Sequence, residues 1–201
     1  MTKSAFNIKQ QETNLTSKIV VGLERVSEAF KVLLWEHAKA IGLSPIQIQI
    51  LIFIAHHKQE YCNVSHFAQE FNVTKPTISD AVKVLVNKGF VVKEYSSTDS
   101  RRYSVFLSDI GQDIVSQTEG FANPIQKELN KINHSDLEML YKSITNLIYG
   151  LNKTGQLSVQ RMCYSCKFYE SINKNHFCHY LNQKLNDKDI RVDCAEFELN
   201  K

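Results

Sequence analysis

Proline and glycine are scarce in this 201-residue chain, with 3 and 7 respectively. A sandwich or barrel of many short strands needs turn residues roughly every 8–12 positions, so their shortage excludes that class and favours long helices. Long apolar runs are missing too. The longest, Ile50 to Ala55, falls far short of the roughly 18–20 residues that cross a bilayer, so no membrane partner is expected. The stretch Met1 to Glu12 offers no apolar segment for a signal peptide, and a cytoplasmic location is the corresponding expectation. Nor does one sign of charge dominate: 24 basic residues stand against 21 acidic ones, a net +3, and this alone implies no nucleic-acid partner. There is no glycine-rich phosphate loop, no His-Glu-x-x-His pair, and no Ser or Cys nucleophile with an identifiable base, so an enzyme is not expected. What is present, 43% hydrophobic residues, suffices for a core, and the length suits one main domain with a small appendage.

Apolar side chains at Leu15, Ile19, Leu23, Val26, Phe30, Leu33, Leu34 and Ile41 recur at helical spacing and predict one long helix over 14–41, ended by Gly42. Ser44 and Pro45 then read as N-cap and first turn of a core helix over Ile46 to His57. The alternation Ile46, Ile48, Ile50, Ile52, Ile54 also fits a strand, and the cap and length decide for the helix. Ser65 to Phe71 forms a short helix, Asn72-Val73 a tight break, and Thr74 caps a further helix that stops at Lys88-Gly89. Phe90 to Glu94 and Tyr103 to Leu107 alternate and predict a hairpin. Ser108 is expected to cap a helix to about Ile132, bent at Pro124, and Ser135 to cap a last one carrying Leu137, Leu140, Ile144, Leu147, Ile148 and Leu151.

Two short helices joined by a tight turn and followed by a hairpin make a shape that can enter the roughly 12 Å wide major groove and touch the backbone alongside. With Ile78 inward, Pro76, Asp80, Lys83 and Asn87 face outward and Thr77 flanks them, while Thr74 and Lys75 stand at the helix N-terminus, where a phosphate can be held. From Thr74 to Arg102, six cations (Lys75, Lys83, Lys88, Lys93, Arg101, Arg102) face three anions (Asp80, Glu94, Asp99), so the positive excess is concentrated here.

Over about residues 14–152 the sequence resembles the MarR family of winged-helix transcription regulators. The resemblance rests on Leu43-Ser44-Pro45-Ile46-Gln47, Val64 to Val73, Thr74 to Ser79, Leu85 to Gly89, and above all the wing Asp99 to Gly111. It implies that Asp99 stabilises the wing tip and Arg101 reaches the minor groove, with Arg102 a second phosphate contact. It also implies an obligate homodimer, formed by the first and last two long helices, that reads double-stranded DNA at a pseudo-palindromic operator. The function expected is a repressor whose dimer geometry is changed by a small-molecule effector or by the tail. The fold class expected is therefore mainly α with a small β-wing, a winged helix-turn-helix dimer with long dimerisation helices. Residues 1–13 are an N-terminal arm and 14–152 the winged-helix and dimerisation domain.

Residues 153–201 form a cysteine-rich tail in which Cys163, Cys166, Cys178 and Cys194 follow the spacing Cys-x2-Cys-x11-Cys-x15-Cys. Four thiols in a segment too short for a core suggest folding around a metal, zinc first and an iron–sulfur cluster as alternative. The second pair lacks the close spacing of a zinc ribbon. His176 and His179 are weaker candidates for ligands, and Cys62 reads as a small buried apolar residue. Two roles stay open for the tail, a structural clip or a metal or redox sensor. A competing function is a metal- or redox-sensing protein whose winged helix is a protein-interaction module.

Overall fold

The computed structural model describes residues 4–95, 102–158, 161–173 and 175–200. A short helix α1 (Ile8–Thr13) precedes the 26-residue α2 (Leu15–Ala40), whose N-cap Asn14 accepts a hydrogen bond from the Ser17 amide at 2.9 Å. The expected arm is thus partly helical. Gly42, at φ 63°, lets the chain turn out of α2, and α3 (Pro45–His56) departs at 91° to it. The amide of Ser44 donates to Gln47 Oε1 at 2.8 Å, the return half of a capping box that fixes the start of α3. The helical reading of the isoleucine alternation is borne out, because α3 is central: Ile48, Ile50, Leu51, Phe53 and Ile54 are all buried, and a helix surrounded on all sides has no need of a single apolar stripe.

A 3-10 turn (Gln59–Tyr61) leads to α4 (Val64–Glu70), Asn72 at φ 53° makes the tight turn, and α5 (Lys75–Asn87) follows. The α4 cap is Asn63, whose side chain accepts from the His66 amide, so the helix starts one residue before the Ser65 expected from sequence. Strands β1 (Val91–Tyr95) and β2 (Tyr103–Leu107) pair antiparallel, Val91 opposite Leu107 and Tyr95 opposite Tyr103. Phe67 of α4, Ile78, Val82 and Leu85 of α5, and Val91 and Val105 of the wing close over α3 as one core.

The expected single helix from Ser108 to Ile132 is corrected: α6 (Asp109–Thr118) gives way to a 3-10 turn at Glu119–Ala122, and α7 (Asn123–Leu129) restarts with Pro124 in its first turn. The break lies at Gly120 rather than at the proline, which suits an N-terminal turn that needs no amide donor. The last long helix, α8 (His134–Lys153), is capped by Asn133, which accepts from the Asp136 amide at 3.1 Å, and Ser135 lies inside its first turn. The tail forms a separate three-stranded antiparallel sheet, β3 (Tyr169–Ile172), β4 (Asn175–Cys178) and β5 (Gln183–Leu185), with a small core of Cys163, Leu185 and Ile190. Among the described residues no single helix is long and apolar enough to cross a membrane.

Candidate nucleic-acid interface and a four-thiol pocket

The α5 face turned away from the core carries the residues singled out from the sequence. Thr74, Lys75, Pro76, Thr77, Asp80, Lys83 and Asn87 are all exposed, while Ile78, Ala81, Val82 and Leu85 are buried. Thr74 is partly committed to the cap: its Oγ1 accepts from the Thr77 amide at 3.3 Å and lies 2.9 Å from Thr77 Oγ1. Lys83 sits two turns further along the same face.

The wing is fastened to the 3-10 turn that precedes α4. The Val105 amide donates to the Cys62 carbonyl at 2.8 Å, and Gln59 Nε2 donates to the Val105 carbonyl at 2.8 Å. At the wing base, Ser108 Oγ donates to the Gly89 carbonyl at 2.6 Å and accepts from the Gly111 amide at 3.0 Å, tying β1, β2 and α6 together. Lys93 Nζ stands 4.3 Å over the Tyr103 ring, a cation–π contact on the strand surface. Arg102 is exposed at the start of β2. Asp99 and Arg101 lie outside the described residues.

The four tail cysteines, 31 residues apart at the extremes, line one small cavity of ≈ 30 Å³ together with Phe168, Tyr169, Leu181 and Leu185. All four are free thiols. The Arg191 amide donates to Cys163 Sγ at 3.2 Å and its guanidinium to Cys194 Sγ at 3.6 Å, so positive charge already faces the sulfurs. Burial pushes the Cys163 thiol pKa up, the Arg191 amide pulls it down, and charge on Cys194, Cys178 or Cys166 raises it again. Soft donors around a small, largely apolar cavity fit zinc or an iron–sulfur cluster. Among the described residues no group of three or more His, Cys, Asp or Glu side chains is arranged to hold a metal ion. His176 and His179 point elsewhere: His176 Nδ1 pairs with Tyr169 Oη at 2.5 Å, and His179 Nε2 with Glu170 at 2.9 Å.

One constellation escapes sequence reasoning altogether. Arg161, only 6% exposed, bonds Asp193 through Nε (2.7 Å) and Nη2 (2.9 Å), and Glu70 of α4 through Nη1 (2.7 Å) and Nη2 (3.2 Å). His57 Nε2 lies 2.8 Å from Asp193, and the guanidinium stands over the rings of Phe53 and Tyr61. Burial works against charge on Asp193, but hydrogen bonds from His57 and Arg161 outweigh it and hold the carboxyl well below the ordinary range. Burial lowers the His66 pKa, and the nearby Glu70 carboxylate only partly offsets this. No spacing rule links positions 57–70 with 161 and 193, because only the folded tail brings them together.

Much of α2 and of α8 shows apolar side chains to solvent, among them Leu15, Ile19, Leu23, Val26 and Phe30 on one and Met139, Leu140, Leu147 and Leu151 on the other. An open groove of ≈ 1100 Å³ runs along α2, with Leu23, Phe30, Trp35 and Phe121 in its wall.

These elements define a winged helix-turn-helix. Residues 41–102, from the end of α2 to the first residue before β2, match the model of the MarR family. The solved structures that share the fold include S. aureus MepR in complex with DNA (19% identity, TM-score 0.58, covering 66% of this chain and 97% of that one) and Streptococcus pneumoniae FabT in complex with DNA (20%, 0.57, 69% and 99%). S. aureus MepR in its DNA-binding conformation is similar to the same degree (17%, 0.58, 66% and 98%). At these identities the likeness establishes the fold. No curated protein matches the chain.

Proposed function

We propose that this protein is a sequence-specific DNA-binding transcriptional regulator, a repressor, that works as a homodimer in the cytoplasm and is not an enzyme. The observation that carries the reading is the solvent-facing side of α5, polar and cationic at Lys75, Thr77 and Lys83, held rigidly beside a wing within the segment that matches the family model. MepR and FabT, which share the fold, are each in complex with DNA. Thr74, Lys75, Pro76, Thr77, Asp80 and Lys83 then face the major groove, and Arg101 and Arg102 the neighbouring backbone and minor groove, with Asp99 bracing the wing. The exposed apolar faces of α2 and α8 suit a second copy of the chain, since monomers rarely leave such long apolar stripes in water. Two copies place two α5 helices on half-sites of a pseudo-palindrome. The groove along α2 is large enough for a small-molecule effector.

In the tail, Cys163, Cys166, Cys178 and Cys194 hold zinc, with an iron–sulfur cluster as the alternative; the fit of four soft donors around one small cavity supports this. Zinc bound by four thiolates supplies folding energy and leaves no coordination position open to substrate.

Selection of a binding site from random duplexes, followed by mobility shifts across a salt series, tests the DNA reading. Lys83→Ala and Arg101→Ala should each weaken binding and flatten its salt dependence. Affinity unchanged by both would reject it in favour of a winged helix that docks proteins. Metal content and the visible spectrum of protein purified without air separate colourless zinc from a brown cluster.

A further inference from the structure

The tail reaches the helix-turn-helix at two adjacent points. Arg161 spans from Asp193 to Glu70, the last residue of α4, and Ser158 Oγ bonds Asn72 Oδ1 at 3.1 Å, on the residue that makes the turn into α5. Arg161 and its partner Asp193 are tied to the thiol pocket through the chain. Arg161 lies two residues before Cys163, Asp193 directly precedes Cys194, and the Cys194 amide donates to the Arg161 carbonyl at 3.0 Å. The opposite side of the tail is fixed to α8 by Lys188–Glu138 (3.0 Å), Lys142–Asp187 (2.8 Å) and Tyr141 Oη to the Ile190 carbonyl.

The tail by itself is poorly supported. Its apolar core is the small group around Leu185 and Ile190, so segments of this size usually depend on a metal or a covalent link to hold their shape. Arg161, in contrast, is buried although Asp193 is half exposed, so a guanidinium that lost Asp193 and Glu70 would be left charged and unpaired inside the protein, at a cost that favours keeping it seated. Whatever orders the pocket therefore decides whether Arg161 stays seated on Glu70, and with it the position of the turn that aims α5.

We infer that the tail is a metal-operated clamp on the helix-turn-helix: zinc in the four-thiol pocket seats Arg161 against Glu70, and the zinc-loaded protein binds DNA more tightly than the stripped one. The inference rests on the DNA-binding reading for its final effect, but the clamp itself is measurable without DNA. Coupling is reciprocal, so DNA tightens zinc binding by the same factor that zinc tightens DNA binding.

The experiment uses full-length protein stripped by chelator under reductant and reloaded with zinc chloride. Hydrogen exchange across α4 and the following turn is measured in both states, beside titration with the selected duplex. Loading should protect the amides from Phe67 to Val73 and raise DNA affinity about tenfold, within the usual range for coupled sites. In Arg161→Ala, and in Glu70→Gln, which keeps side-chain volume and sits on α4 outside the lining of the thiol pocket, one zinc should still bind while its effects on α4 exchange and DNA affinity vanish. Glu70→Gln covers the case in which Arg161→Ala does not fold. The clamp is overturned if zinc does not bind, if it protects only residues beyond 161, or if either variant keeps the full response. DNA affinity identical with and without zinc also overturns it and leaves the DNA reading intact. Zinc-dependent protection of α4 with no duplex bound in either state sustains the clamp and rejects the DNA reading.

Discussion

Lys83 has an exposed side chain on α5 and no described partner that its loss would leave unpaired in the core, so its replacement separates binding from folding. Lys83→Ala should lower affinity about tenfold, the loss of one good contact, and reduce the salt slope by about 1, with the thermal midpoint unchanged. Cys62 is the opposite case. It is fully buried behind the wing, and burial pushes its pKa from 9.0 to about 11. The folded state therefore holds this proton more tightly than the unfolded chain. Its contribution to stability is complete below about pH 9 and is lost as pH climbs from there to about 11. Denaturant midpoints over that range should fall in the native protein and fall less in Cys62→Ala. At neutral pH, iodoacetamide should leave Cys62 unlabelled in the folded chain. That Cys62 is a buried, unreactive thiol is legible in the sequence, where no basic residue adjoins it to activate the sulfur. The role of Arg161 was not, since an arginine in a segment without periodicity carries no sign of what it will meet.

At the scale of elements, caps and turns were largely readable because they are chemistry between neighbours. Ser44-Pro45, Thr74 and Gly89 mark the boundaries found, whereas Asn133 takes the cap expected at Ser135 and Asn63 caps α4, which starts one residue before Ser65. The break between α6 and α7 was misplaced to Pro124, because the constraint comes from packing of the 3-10 turn against α2 and not from the proline. Gly111 shows what a motif conceals. It belongs to the wing signature, yet its value lies in a close approach of α6 to the wing base, where a Cβ would stand 1.9 Å from the Phe90 carbonyl oxygen. Backbone cannot swing aside as a side chain can, so Gly111→Ala should cost about 1–3 kcal/mol or more, read as a lower denaturant midpoint with an unchanged slope.

For the whole molecule, the proposed homodimer would rest on the exposed apolar faces of α2 and α8. Sedimentation should give about twice the 23.1 kDa chain mass. Leu23→Glu, on an exposed part of α2, should yield a folded monomer whose DNA affinity drops by about two orders of magnitude, because one half-site no longer raises the effective concentration of the other. A dimer that survives this change would put the contact elsewhere.

The order of amino acids by itself determined the winged helix-turn-helix, its outward-facing residues and the four-thiol spacing, because helix periodicity, caps and hairpin alternation are interactions over a few positions of chain. Only the tertiary structure decided that the tail would dock on α4 and gather Asp193, Glu70 and His57 around the buried Arg161. Such contacts join surfaces 91 to 136 residues apart in sequence, and their partners are chosen by which folded faces fit once each has formed.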